Sequence, residues 1–258
     1  MRMIEFVVIV EGPTDVPIVT KLAERVLVEK IDWLEEEQLQ YQFQWKGLKA
    51  DTEYSYWRDI KQVIEDLQRA YGYRPPRYLG HGKYGPFKAD GAAAMKVLST
   101  VRFLQKAREI KAVLLIRDLD NQPERRDGLE QARLEHTDRQ PQLGIVIGTA
   151  DRVREAWVLN GFLPFNDDER GKLDEMRTEL NFHPCEQANR LRSNVSSGSD
   201  RIRNPKVVLD LLTDGNRLRQ QKCWEETDLE LLRRRGMNTG LKDYMDEIEQ
   251  YLIPIINL

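Results

Sequence analysis

Short strand-like runs interleaved with stripes at helical spacing constrain this chain more than any other feature of its sequence. Phe6–Val10 (FVVIV) is apolar at every position. A strand with no polar alternation has no face to give to water, so the run predicts a strand covered on both sides, as in a parallel sheet. Pro13 and Thr14 end it. Val16, Val19, Leu22, Ala23, Val26 and Leu27 then recur every three or four residues, which predicts an amphipathic helix. Tyr41–Trp45, Ala112–Ile116 and Leu143–Ile147 are three further predicted strands. Between them lie the helical stripes Ile60, Val63, Ile64, Leu67, Tyr71 and Met95, Leu98, Val101, Leu104, the first ended by Gly72 and Pro75-Pro76. Strands separated by helices join through right-handed crossovers, so the expected fold is α/β, a mostly parallel sheet flanked by helices.

Beyond residue 150 the alternation stops and the segments read as helices. Asp151 is the expected N-cap of a helix carrying Ala156, Trp157 and Leu159, with Gly161 past its end. Ser193–Asp200 reads as a polar loop, and Pro205 starts a helix with Val207, Val208, Leu211 and Leu212. Arg233-Arg234-Arg235 suits a helix C-terminus. Leu241, Tyr244, Met245, Ile248, Leu252 and Ile255 form a final amphipathic stripe, which either buries itself in the chain or joins two chains as an oligomer. The expected organisation is an α/β catalytic part over residues 1–150 and a helical region over 151–258 packed on it.

Composition narrows the class. Among 258 residues, 40 Lys and Arg against 43 Asp and Glu leave a net charge of −3, which excludes a generally basic nucleic-acid coat. No apolar run approaches the roughly 18–20 residues of a membrane span, and the N-terminal run is too short for a signal peptide. Cys185 and Cys223 alone supply neither a disulfide framework nor a cysteine zinc site, so a cytoplasmic location is expected.

Ligands of open parallel sheets bind outside the carboxyl ends of the strands. Glu11, Gly12 and Asp15 follow the first predicted strand, with Gly12 suited to a tight turn; Asp118 and Asp120 follow the Ala112–Ile116 strand. If the backbone stays extended through Leu119, the two aspartates share a face. Carboxylates crowded on neighbouring strand ends repel one another unless a cation lies among them, and Mg²⁺ is the hard, oxygen-preferring choice. The plainer reading leaves Glu11 and Asp15 as helix caps and the aspartates as polar strand-end residues.

Val8-Ile9-Val10-Glu11-Gly12-Pro13-Thr14-Asp15, followed by Leu114-Leu115-Ile116-Arg117-Asp118-Leu119-Asp120, resembles the Toprim domain over residues 1–150. Arg154-Glu155-Ala156-Trp157 and Asn204-Pro205-Lys206 are similar to single-chain Toprim-like proteins found near ATPases in bacterial defence loci. The resemblance implies Mg²⁺-dependent phosphodiester chemistry, with Mn²⁺ substituting. Glu11, Asp118 and Asp120 would hold the metal and carry catalysis, Glu11 also moving a proton. Asp15 would reach a second ion or orient a ligand of the first, and Glu155 would complete a second site as in OLD-type nucleases; the plainer reading of Glu155 is a surface residue beside a core Trp157. The helical region is too short for a topoisomerase gate and two cysteines are too few for a primase zinc module, which leaves hydrolysis: a nuclease, in phage defence with an ATPase partner. The alternative is a catalytically silent subunit that binds nucleic acid or a partner protein. A haloacid-dehalogenase reading of Asp-Leu-Asp-Asn is disfavoured, because that motif follows a first strand.

Positive charge for a nucleic acid is concentrated in two places. Gly80–Lys88 interleaves glycine, Lys83, Lys88 and aromatics as a phosphate-gripping, base-stacking loop would. Arg190, Arg192, Arg201, Arg203 and Lys206 face only Asp200, a net +4 over residues 190–206. Of these, Lys83, Lys88, Arg201, Arg203 and Lys206 are the expected nucleic-acid contacts. A flexible loop and a solvated basic face are the plainer readings. His81 is a shuttle or a solvent-facing loop residue.

Overall fold

The computed structural model describes residues 3–77, 80–83 and 85–257. The chain forms two compact units: Met1–Arg117 with Gln122–Gly148 and Asp246–Leu258, and Asp118–Asn121 with Thr149–Met245.

The first unit holds the sheet. Its elements are β1 (Ile4–Val10), α1 (Val16–Lys30), α2 (Leu39–Gln42), β2 (Phe43–Lys46), β3 (Ser55–Tyr56), α3 (Ile60–Tyr71), the small hairpin β4 (His81–Gly82) and β5 (Gly85–Pro86), α4 (Gly91–Leu104), β6 (Ile110–Asp118), α5 (Glu124–Leu134) and β7 (Gly144–Ala150), except that the last residue of β6 and the last two of β7 belong to the second unit. Strand order is β2-β1-β6-β7, with β3 also on β1. β1 runs parallel to β2, β3 and β6, and its register sets Ile9 opposite Leu115. The predicted α/β fold with a mostly parallel, helix-flanked sheet is therefore what the chain adopts.

The unbroken apolar runs explain the layers. Val7 and Ile9 of β1, Val113 and Leu115 of β6, and Ile145 and Ile147 of β7 form one core with the stripes of α3 and α4 and with Leu129 and Ala132 of α5. The two-residue period sends Phe6, Val8 and Val10 to the other face, where they are as fully buried as Val19, Ala23, Val26 and Leu27 of α1. There Phe6 stacks on Phe43 with centroids 4.4 Å apart, and Trp45 Nε1 donates to Glu24 of α1 at 2.8 Å. Each fully buried Val, Leu or Ile stabilises the fold by about 1.5–3 kcal/mol relative to exposure, before chain entropy is charged. α4 and α5 approach at Gly128, where an added Cβ would lie 1.9 Å from the carbonyl oxygen of Ala89.

Two local expectations change. Tyr41 is not in a strand; it lies in α2, exposed, because Leu39 is the residue that turn buries, and pairing starts at Phe43. α5 has no counterpart in the sequence reading, since it buries only Gly128, Leu129 and Ala132.

The second unit is helical: α6 (Glu155–Asn160), α7 (Asp167–Leu180), α8 (Pro205–Thr213), α9 (Arg217–Glu225), α10 (Leu229–Arg235) and the start of α11 (Leu241–Tyr251). Trp157 is 2% exposed, stacks on Tyr244 at 5.3 Å and donates Nε1–H to the Thr239 carbonyl at 2.7 Å, so it is core. Pro205 opens α8 as expected, with Asn204 as N-cap accepting from Lys206 N. Arg233-Arg234-Arg235 ends α10. Glu169 is 7% exposed and forms a two-pronged ion pair with Arg219, which lies over the rings of Phe162 and Phe165.

The final amphipathic stripe buries itself within the chain. Leu241, Tyr244 and Met245 are fully buried in the second unit; Ile248 and Leu252 are equally buried in the first, which α12 (Ile253–Ile256) closes. In that first unit Glu247 accepts from Arg133 at 2.6 Å and from Ile147 N at 3.0 Å. No helix among the described residues is long and apolar enough to cross a membrane.

Candidate functional site

In the first unit Glu11 follows the last residue of β1. Asp15 holds the turn after it, its Oδ2 accepting the backbone N–H groups of Glu11 at 3.1 Å and Gly12 at 2.8 Å. The tight turn expected of Gly12 is thus made by Asp15: Gly12 is absent from the left-handed region, and a Cβ there would meet nothing closer than 4.0 Å. Asp15 is 6% exposed and lies immediately upstream of α1.

The Ile9–Leu115 register brings Glu11 beside Arg117, and Arg117 Nη1 meets Glu11 Oε1 at 3.0 Å. Arg117 also grips Asp90 with Nε at 2.7 Å and Nη2 at 3.3 Å. Arg125, in the first turn of α5, reaches the same two carboxylates at 4.0 and 3.6 Å. Trp57 lies under Arg117 at 5.5 Å, its own Nε1–H fixed on the Ile116 carbonyl at 2.7 Å. Two guanidiniums and two carboxylates therefore gather at the carboxyl end of β1 and β6.

Lys83 and Lys88 belong to the β4–β5 hairpin region of this unit. Lys83 N donates to Glu135, Lys88 N donates to Gln131 at 2.9 Å, and Lys88 Nζ pairs with Asp127. The loop that the sequence offers to phosphate is thus anchored on α5 and the turn after it. Tyr84, the aromatic in its middle, lies outside the described residues.

In the second unit Asp118 is the last residue of β6 and its Oδ1 accepts Arg154 N at 3.0 Å, at the N-terminus of α6. Extension does not persist through Leu119. Asp120 has φ +48° and Asn121 φ +64°, so Asp120 leaves the extended row that would have put it on Asp118's face. The turn is held by Leu119 N to Ala150 O and Asp120 N to Arg152 O, both 3.0 Å. Arg152, itself at φ +70°, is 7% exposed; burial pulls its guanidinium below the usual range, while Asp120 and Asp151 act to raise it. Its Nη1 meets no hydrogen-bond partner among the described residues.

Glu155 opens α6 and pairs with Arg154 at 3.0 Å and Lys206 Nζ at 3.9 Å. The expected N-cap Asp151 is displaced by that late start: α6 is preceded by Arg154, and Asp151 pairs with Arg192 at 2.7 Å. Arg201 and Arg203 are exposed on a short 3₁₀ turn, Ser199–Arg203.

Glu11, Asp118, Asp120 and Glu155 are the hard oxygen donors that a Mg²⁺ or Mn²⁺ ion takes. Among the described residues no group of three or more His, Cys, Asp or Glu lies close enough to hold a metal ion, and Glu11 Oε1 is engaged by Arg117. Sequence reasoning missed Asp90, Arg125 and Arg152. No sequence signal marked them, because α5 leaves no apolar stripe and the left-handed turns at 90 and 152 follow from tertiary contacts. Comparison with protein-family models, with curated proteins and with solved structures finds no match.

Proposed function

We propose that the chain is a metal-dependent nuclease, hydrolysing phosphodiester bonds of DNA or RNA, and that it serves phage defence beside an ATPase partner. The observation that carries the reading is topological: Glu11 directly follows β1 and lies beside Arg117 near the end of the parallel strand β6, whose last residue is Asp118. Acidic groups at the carboxyl ends of neighbouring parallel strands are where an α/β sheet presents its chemistry. Bound Mg²⁺ would neutralise phosphate charge and lower the pKa of a water. Glu11, Asp118 and Asp120 are the residues to hold it, with Asp15 supporting Glu11 through the turn and Glu155 available at the start of α6.

A second reading, a silent subunit that binds nucleic acid or a partner, is favoured by the Glu11–Arg117 pair, which already satisfies the carboxylate without a metal. The two separate on one experiment. Purified chain is incubated with plasmid, single-stranded DNA and RNA in Mg²⁺, Mn²⁺ and EDTA, beside the Asp118→Asn/Asp120→Asn double variant. The nuclease reading expects cleavage in Mg²⁺ or Mn²⁺ only, lost in the double variant with its fold intact. Absence of cleavage by the wild type under every condition, its genomic neighbours included, ends that reading.

A further inference from the structure

At the strand ends of the first unit Glu11, Asp90, Arg117 and Arg125 bring two guanidiniums together with two carboxylates. Ordinary stability does not explain the arrangement. Arg125 occupies the first turn of α5, where backbone N–H groups already concentrate positive charge and an acidic residue would serve the helix better. Asp90 holds φ +63°, the left-handed region that a residue bearing a Cβ adopts only against a steric cost. What that conformation provides is a two-pronged hold on Arg117, whose plane Trp57 fixes from below. The guanidiniums keep 19% and 15% of their side-chain surface open. Orientation locked in advance, partial exposure and N–H groups of two helix starts nearby are the properties of an anion clamp.

We propose that Arg117 and Arg125 together bind a phosphate of the nucleic-acid backbone, and that Glu11 occupies them as a charge-balancing stand-in until it arrives while Asp90 holds Arg117 in place. The inference takes its ligand from the nuclease reading but makes a separate claim about separate residues. With two cations and two carboxylates the cluster is neutral, so an added phosphate lowers its free energy only when one carboxylate charge is withdrawn. Glu11 is the carboxylate that the proposed function assigns to a cation. Cation and phosphate binding then favour one another, and by linkage each strengthens the other equally. Asp90 stays behind to aim Arg117.

The test is fluorescence anisotropy of a labelled oligothymidylate, in EDTA and in Ca²⁺, with wild type, Arg117→Gln, Arg125→Gln and Asp90→Asn. The wild type is expected to bind more tightly in Ca²⁺ than in EDTA. Arg117→Gln and Arg125→Gln should each weaken binding in Ca²⁺ by about tenfold and reduce the salt slope by about 0.7, the value of one phosphate contact on a single strand. Asp90→Asn should tighten binding in EDTA, a sign that a purely structural ion pair does not produce. If a glutamine variant fails to show a cooperative melt, Arg117→Lys and Arg125→Lys, which keep the charge and lose the fork, should fold and still bind more weakly than wild type.

Folded arginine variants that bind like wild type overturn the proposal, as does weaker binding by Asp90→Asn or no binding by the wild type in either buffer. The nuclease reading stands or falls apart from this, on cleavage by the wild type and its loss in Asp118→Asn/Asp120→Asn. Cleavage with unaltered binding in the arginine variants removes the clamp alone; arginine-dependent binding without any cleavage removes the nuclease alone.

Discussion

Acidification should destabilise this protein through one histidine. His136 lies just past α5, fully buried, with neither ring nitrogen meeting a hydrogen-bond partner among the described residues. Burial, together with the cations of Arg139 and Arg102, pushes its pKa down to about 3. In the unfolded chain the same imidazole titrates near 6.5. Between those values the unfolded state binds a proton that the folded state refuses, so stability rises with pH across the window. The contribution is fully present above about pH 6.5 and is lost as pH falls towards 3, at about 1.4 kcal/mol per pH unit. From pH 7 to pH 5 the loss from this residue alone comes to about 2 kcal/mol, a large part of a typical folding free energy of about 5–15 kcal/mol. Urea unfolding at pH 7, 6 and 5 measures it, with His136→Leu as the reference, since a non-titrating apolar side chain has no proton to refuse and every other group cancels between the two proteins. The expected result is a wild-type loss exceeding the variant's by about 2 kcal/mol at pH 5. Equal losses within about 0.5 kcal/mol would show that the folded imidazole accepts its proton normally and would refute the reasoning.

Other expectations follow from packing. Glu247→Ala leaves the Arg133 guanidinium without its buried partner and the Ile147 amide without its acceptor, and should cost about 3–5 kcal/mol in urea unfolding; a cost under about 1 kcal/mol would contradict the burial argument. Gly128→Ala forces a methyl against the Ala89 carbonyl oxygen, backbone that cannot rotate away, and should destabilise by at least about 1–3 kcal/mol, whereas Gly12→Ala should stay within about 0.5 kcal/mol of wild type. Burial raises the thiols of Cys185 and Cys223 to about 12 and 11, so neither should react with a thiol-disulfide reagent at neutral pH until the chain unfolds; rapid reaction of the native protein would refute their burial.

The layers of the fold are legible because burial on both faces leaves a one-dimensional trace. FVVIV and the run ending at Ile116 have no polar position to spare, and the stripes of α1, α3 and α4 repeat with the helix. Where an element buries little, the trace fades: α5 buries three residues, too few to make a stripe, and the aromatic composition around Tyr41 points to a strand although Leu39 is what that segment buries. Glu11 and Asp118 stand out through their position after the apolar runs.

The sequence by itself determined the long apolar strands β1, β6 and β7, the mostly parallel α/β class, and the acidic residues Glu11 and Asp118 at their ends, because those properties depend on near neighbours in the chain. The tertiary structure alone decided what those acids meet. Arg117 of β6 and Arg125 of α5 converge on Glu11, and Asp90 just before α4 meets the same two arginines, only through the register of β1 with β6 and the packing of α4 on α5. Likewise Asp120 turns away from Asp118 because residues 120 and 121 are left-handed, with Asp120 N donating to the carbonyl of Arg152, itself left-handed. Partner identity depends on residues distant in sequence, and no local pattern records it.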